Sequence, residues 1–187
     1  MDIRFSQWFP VASISDLPFR HVFQAQLLGR EYAVWRADDG YVNIWENRCL
    51  HRGVRLSIGI NEGSELKCQY HGWRYANRTA GCTYIPAHPA DAPSRTICNN
   101  TYQSKEKYGM IWTCEMPDGT IPEVKDFNSY TVLRPIPINS ASKNIESFLI
   151  SSGISKHQLI QTKDSNFLQF KTESGDKICF FIQPQNS

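Results

Sequence analysis

The chain has 187 residues, 41% of them apolar, which is enough for one domain with a real core and a smaller second lobe. Twenty basic residues against eighteen acidic ones leave a net charge of +2, so no global charge argues for nucleic acid or a membrane surface. The longest apolar runs, such as residues 178–182, fall far short of the roughly 18 residues a membrane helix needs. The opening Met1-Asp2-Ile3-Arg4-Phe5-Ser6-Gln7 also lacks the basic-then-apolar order of a signal peptide, and the expectation is a cytoplasmic protein.

Up to about residue 135, glycine and proline punctuate short alternating runs, the mark of a small all-β module. Residues 32–36 and 41–45 are aromatic and β-branched and flank Ala37-Asp38-Asp39-Gly40, whose Asp-Gly predicts a hairpin. Residues 65–68, 73–75 and 109–113 also read as strand. The three prolines of residues 84–93 predict an ordered or extended loop. After Pro135-Ile136-Pro137 the character changes. Ile145, Phe148 and Leu149 recur at i, i+3, i+4, with Ser140 or Ser142 to cap and Gly153 to stop, and predict one short helix. Residues 167–171 and 177–182 around Ser174-Gly175-Asp176 predict a second hairpin. The division expected is therefore 1–135 and 136–187, the latter a helix–hairpin extension that is marginal alone and reads as the start of a larger domain.

Two Cys–His pairs carry the chemistry: Cys49-Leu50-His51, then sixteen residues, then Cys68-Gln69-Tyr70-His71. A two-iron cluster with mixed ligation needs this arrangement, two thiolates on one iron and two neutral imidazoles on the other, with each loop giving one of each. A zinc-stabilised binding module is the alternative, although zinc fingers pair Cys with Cys and His with His, whereas here the types interleave. Of the six cysteines, the other four (Cys82, Cys98, Cys114, Cys179) are expected to be unpaired thiols, because a chain of this length without secretory signals does not need disulfide staples. His21 and His88 carry no motif.

The stretches Asn47-Arg48-Cys49-Leu50-His51-Arg52-Gly53 and Cys68-Gln69-Tyr70-His71-Gly72-Trp73-Arg74-Tyr75 closely resemble Rieske domains of bacterial ring-hydroxylating and demethylating oxygenase systems. Trp8-Phe9-Pro10-Val11-Ala12 looks like that family's opening strand and residues 106–112 like its closing one. The opening segment and the tail after Pro135 also resemble the N-terminal Rieske region of hybrid reductases serving methylxanthine-type N-demethylases, in which flavin and ferredoxin domains would follow. The resemblance implies an all-β Rieske fold with two cluster-binding hairpin loops and a small α+β extension. It also implies a Rieske-type [2Fe–2S] cluster on Cys49, His51, Cys68 and His71, with the histidines at the exposed tip. Leu50 departs from the proline of many members. Respiratory Rieske proteins carry an extra cysteine on each ligand loop, where this chain has Val54 and Tyr70, and a hydroxyl where it has Trp73. Fewer donors to sulfur imply a potential near the low end of the Rieske range, around −150 mV rather than +300 mV.

An oxygenase active site needs a second iron held by two His and a carboxylate. Beyond His88 only His157 remains, expected at a turn or surface, so no complete catalytic site is legible, and no Gly-rich dinucleotide loop is present either. The function implied is electron transfer to a mononuclear-iron oxygenase from a flavin reductase or ferredoxin. An N-terminal piece of an oxygenase α subunit is a second reading. Arg48, Arg52, Arg55, Lys67, Arg74 and Arg78 lie in sequence on or beside the loops and suit a basic docking face. Trp73 and Tyr75 are expected to pack by the cluster, and Trp35, Trp45 and Trp112 in the core.

Overall fold

The computed structural model describes residues 7–90, 96–116, 119–124, 127, 130–151, 158–161, 167–171 and 174–185. In chain order the strands begin with β1 (Phe9–Ser13), β2 (Val22–Leu27), β3 (Arg30–Arg36) and β4 (Val42–Glu46). Four short strands follow, β5 (Ile60–Asn61), β6 (Glu65–Lys67), β7 (Arg74–Ala76) and β8 (Cys82–Tyr84), and then β9 (Thr101–Lys107) and β10 (Met110–Cys114). Helix α1 (Ser142–Ser151) and strands β11 (Gln158–Gln161), β12 (Phe167–Lys171) and β13 (Lys177–Phe181) complete the order.

Three antiparallel sheets result: β1-β10-β9-β4-β3-β2, β5-β6-β7-β8, and β11-β12-β13. The expected all-β architecture of antiparallel sheets is what forms. Gly40 closes the predicted β3–β4 hairpin with φ +83°, a conformation glycine adopts without strain. Pro10 lies in β1, which is an edge strand, the place where a missing N–H is tolerated. Residues 106–112, which resembled one closing strand, are instead the end of β9, a turn and the start of β10. Tyr108 (φ 58°) and Gly109 (φ 67°) are both left-handed, the geometry of a tight hairpin turn.

Along β3 and β4 of the large sheet both faces are buried, with successive residues on opposite sides. On one face Tyr32, Val34 and Ile44 meet Phe9, Leu27 and Ile111. On the other, Ala33, Trp35 and Trp45 meet Leu56 of the short helical turn after the first loop and Leu66, Tyr75 and Cys82 of the four-stranded sheet. Trp35 and Trp45 stand edge to face at 5.1 Å in this second core. Their full burial supplies on the order of 2–3 kcal/mol each and fixes the small sheet on the large one. Trp112 is likewise fully buried.

The extension is an α1-plus-three-strand unit. Ile145 and Leu149 pack on Leu168, Phe170 and Ile182, as the periodicity required. Phe148 does not join them and is 64% exposed: a 3.6-residue turn rotates it past the edge of this narrow apolar stripe. The predicted hairpin is β12–β13. Strand β11, polar at both ends, was not foreseen. The tail returns to the large sheet, with Leu28 N–H donating to Pro184 O (2.9 Å), Gly29 N–H to Gln185 O (2.7 Å), and Phe181 edge-on to Trp112 at 5.0 Å. Gly153, His157, Met1–Ser6 and residues 91–95 lie outside the described residues. No helix among the described residues is long and apolar enough to cross a membrane.

Candidate metal centre

Both ligand loops project from the four-stranded sheet side. The first, residues 47–55, leaves β4. Buried Asn47 cinches its base, donating from Nδ2 to Ser57 Oγ (3.0 Å) and accepting the Ser57 N–H on Oδ1 (2.7 Å). Asn99 Nδ2 donates to Glu46 O (3.0 Å) and Arg48 O (3.2 Å) and holds the loop from the other side. The tip is turned by Cys49 N–H to Val54 O and Gly53 N–H to Cys49 O, each 2.8 Å. The second loop, residues 68–73, joins β6 to β7 and is closed by Cys68 N–H to Trp73 O at 2.8 Å. His71 (φ 65°) and Gly72 (φ 69°) are both left-handed there. Glycine accepts this freely, whereas His71 carries a cost of about 1 kcal/mol, held in place by the surrounding loop.

The four sequence-predicted donors come together, and by type. Cys49 and Cys68 are both buried in one core cluster, close enough that Cys49 is among the groups that raise the Cys68 thiol. His51, half-buried, and His71, exposed, face each other Nδ1 to Nδ1 at 3.1 Å. Among the described residues no three His, Cys, Asp or Glu side chains converge on one point, so the donors meet two and two. Paired thiols within and paired imidazoles without are the donor set a two-iron, mixed-ligand cluster asks for, and the residues fit that group.

The surroundings tune these donors. Tyr75, fully buried on β7, places its hydroxyl 3.1 Å from Cys49 Sγ and accepts the Leu50 N–H at 3.2 Å. With that N–H on its oxygen, the hydroxyl proton is left to donate to sulfur. Burial, then the neighbouring Cys49, hold the phenol far above its ordinary value and keep it a donor. Burial pushes the Cys68 thiol up to about 11, and its sulfur accepts the Tyr70 backbone N–H. A hydroxyl at Cys49 and a backbone N–H at Cys68 thus serve the two sulfurs. The sequence reading counted the hydroxyl missing at Trp73 but not the one supplied from Tyr75. Desolvation, then the charges of His71 and Arg52, hold His51 below its ordinary value and favour the neutral imidazole that binds metal. Trp73 stacks on His51 (centroids 5.0 Å, planes 3° apart), and Tyr70 covers His71 at 3.8 Å.

The six basic residues do not form one face. Arg48 and Arg55 both bond Glu31 (3.1 and 2.6 Å), and Arg74 meets Glu62 (3.0 Å) and Glu65 (3.6 Å). Arg78 pairs with Asp39 (2.8 Å) at the far end of β7, away from the cysteines, because β7 runs outward from the loop. None of the six cysteines forms a disulfide, and Cys82 is a fully buried thiol, not a neighbour exposed for chemistry. His21 and His88 are surface residues outside the site. Glu31, Asn47 and Asn99 are the site residues whose roles sequence reasoning missed; Tyr75 was expected to pack by the cluster, but its hydroxyl contact with Cys49 was not.

Fold and donors together define a small β protein built around an iron–sulfur cluster. The model of the Rieske [2Fe-2S] domain matches residues 7–103, and the chain belongs to that family. It therefore carries a Rieske-type [2Fe–2S] cluster and the electron-transfer role of such a domain. The oxidoreductase NdmD of Pseudomonas putida is 47% identical over 150 residues, 80% of this chain and 24% of the relative. The methylxanthine N1-demethylase NdmA of the same organism is 33% identical over 110 residues, 56% of this chain and 31% of the relative. The structure of an NdmA variant with theobromine from Pseudomonas putida superposes with a TM-score of 0.71 at 19% identity, covering 97% of this chain and 62% of that one, a likeness of fold. The chain spans a quarter to a third of the length of these two curated relatives.

Proposed function

We propose that Cys49, Cys68, His51 and His71 hold the cluster, and that the chain serves as the electron-transfer module of a system ending in a mononuclear-iron Rieske oxygenase that hydroxylates or demethylates an aromatic or heterocyclic substrate. The observation that carries the reading is the pairing of donors, buried thiols beneath and facing imidazoles at the surface. When bound, the cluster supplies one-electron redox chemistry. The protein's part is to keep water from the sulfurs with Tyr75, Leu66 and Cys82, to fix His51 against Trp73, and to leave the His51 and His71 edges where a partner can reach them. A flavin reductase or ferredoxin is the donor in this reading, and residues 1–135 are the cluster-bearing unit with 136–187 as its extension. The likeness to the oxidoreductase NdmD, the more identical of the two relatives named above, supports a redox module.

The test is an EPR spectrum of the dithionite-reduced chain with iron and acid-labile sulfide analysis. A rhombic signal of low average g-value, with two irons and two sulfides per chain and lost in Cys68→Ser and His51→Ala, is expected. Zinc in place of iron with a silent spectrum overturns the reading.

A further inference from the structure

Charge around the two ligand loops is distributed unevenly. Beside the first loop, three arginines face one carboxylate: Arg55 bonds Glu31 through both Nε (2.9 Å) and Nη2 (2.6 Å), Arg48 shares the same Glu31, and exposed Arg52 enters none of the ion pairs among the described residues. Glu46, the other acid nearby, is turned onto Asn100 Nδ2 at 2.6 Å. Beside the second loop, Lys67 and Arg74 meet Glu62 and Glu65 at 3.0 to 3.9 Å, two cations against two carboxylates. Between the loops, next to the imidazoles, Leu50 and Tyr70 stand 45% and 46% exposed. An apolar centre bordered on one side by net positive charge is an oriented surface: apolar contact excludes water at the rim of the donors, and the charge sets which way round a partner arrives.

We propose that the redox partner is a protein that lays an apolar centre on Leu50 and Tyr70 and points carboxylates at Arg48, Arg52 and Arg55, the second loop adding shape without net charge. This rests on the electron-transfer reading above and deepens it. The exchange itself is one electron leaving the reduced chain and reducing its acceptor by one, with no bond made or broken.

The test is stopped-flow oxidation of the reduced chain by anionic ferricyanide, by cationic tris(phenanthroline)cobalt(III), and by the Pseudomonas putida N1-demethylase. Variants are Arg52→Glu, Leu50→Ser and a distant charge control, Arg134→Glu, two residues from Val132, which lies against the Gly109 turn at the far end of β9. All are first matched by EPR signal per chain. At low salt Arg52→Glu is expected to slow ferricyanide and speed the cobalt complex by about threefold or more, both effects fading at high salt, with Arg134→Glu near wild type. Arg52→Glu and Leu50→Ser are each expected to slow the demethylase about fivefold or more, Leu50→Ser without changing either small oxidant. An Arg52→Glu chain that behaves like Arg134→Glu, or a Leu50→Ser chain at the wild-type rate with the demethylase, overturns the proposal. A wild-type chain that fails to reduce the demethylase counts against the oxygenase reading alone. The two ions then decide the acidic-partner proposal by themselves, a charge-dependent Arg52→Glu effect upholding it and none overturning it.

Discussion

Tyr75 sits one strand away from Cys49 in space and 26 residues away in sequence, with its hydroxyl 3.1 Å from the sulfur. A donor to a ligand sulfur stabilises the more negative, reduced state. Tyr75→Phe is therefore expected to retain the cluster and lower its potential by roughly 40–90 mV, equivalent to about 1–2 kcal/mol for one electron. An EPR-monitored redox titration measures it, and an unchanged potential would show that the hydroxyl does not serve the sulfur. The candidate donors could be named from sequence because Cys49-Leu50-His51 and Cys68-Gln69-Tyr70-His71 are local patterns. The hydroxyl was not: Tyr75 follows Arg74 on a strand, and only packing of β7 under the first loop turns it toward Cys49.

At the scale of elements, Glu31 on β3 ties down the first ligand loop through Arg48 and Arg55. The Arg55 hydrogen bond, then the charges of Arg55 and Arg48, hold its carboxyl below the ordinary value. A carboxyl lowered on folding adds stability that is in place above its unfolded value and is lost as the pH falls through the folded one. Glu31→Gln is accordingly expected to cost no more than about 1 kcal/mol at neutral pH, the pair being largely exposed, and to flatten the acid limb of the stability curve. Urea melts at neutral and acid pH check it. In the extension, Leu149→Ala should cost about 1–2 kcal/mol, since Leu149 packs on Leu168, Phe170 and Ile182. The α1 pattern in sequence gave no means of telling Phe148 from Leu149, because i+3 and i+4 lie on opposite flanks of the stripe. Hairpins with Gly turns were readable from local chemistry, whereas β11 needed the edge of β12 to exist before its Gln158–Gln161 could pair.

For the whole molecule, the extension shares a core with the large sheet. Phe181 packs on Trp112 beside Trp8 and Cys114, and the tail carbonyls of Pro184 and Gln185 accept the Leu28 and Gly29 N–H groups. One cooperative thermal transition is expected, with Phe181→Ala lowering it by about 2 kcal/mol of stability, less than the loss for a fully buried ring. Two separate transitions by calorimetry would show instead that the parts fold apart. The polypeptide leaves the large sheet at the end of β4 and re-enters it at the start of β9, and these are adjacent strands with Trp45 opposite Thr101. The four candidate donors and Tyr75 all lie in the excursion between them, and Glu31 of β3 reaches it from the supporting sheet. A redox lobe whose entrance and exit stand side by side is a cassette: another lobe with the same gap between its ends can be spliced at that point. Potential and partner choice can then be exchanged together while the supporting sheet keeps its own sequence.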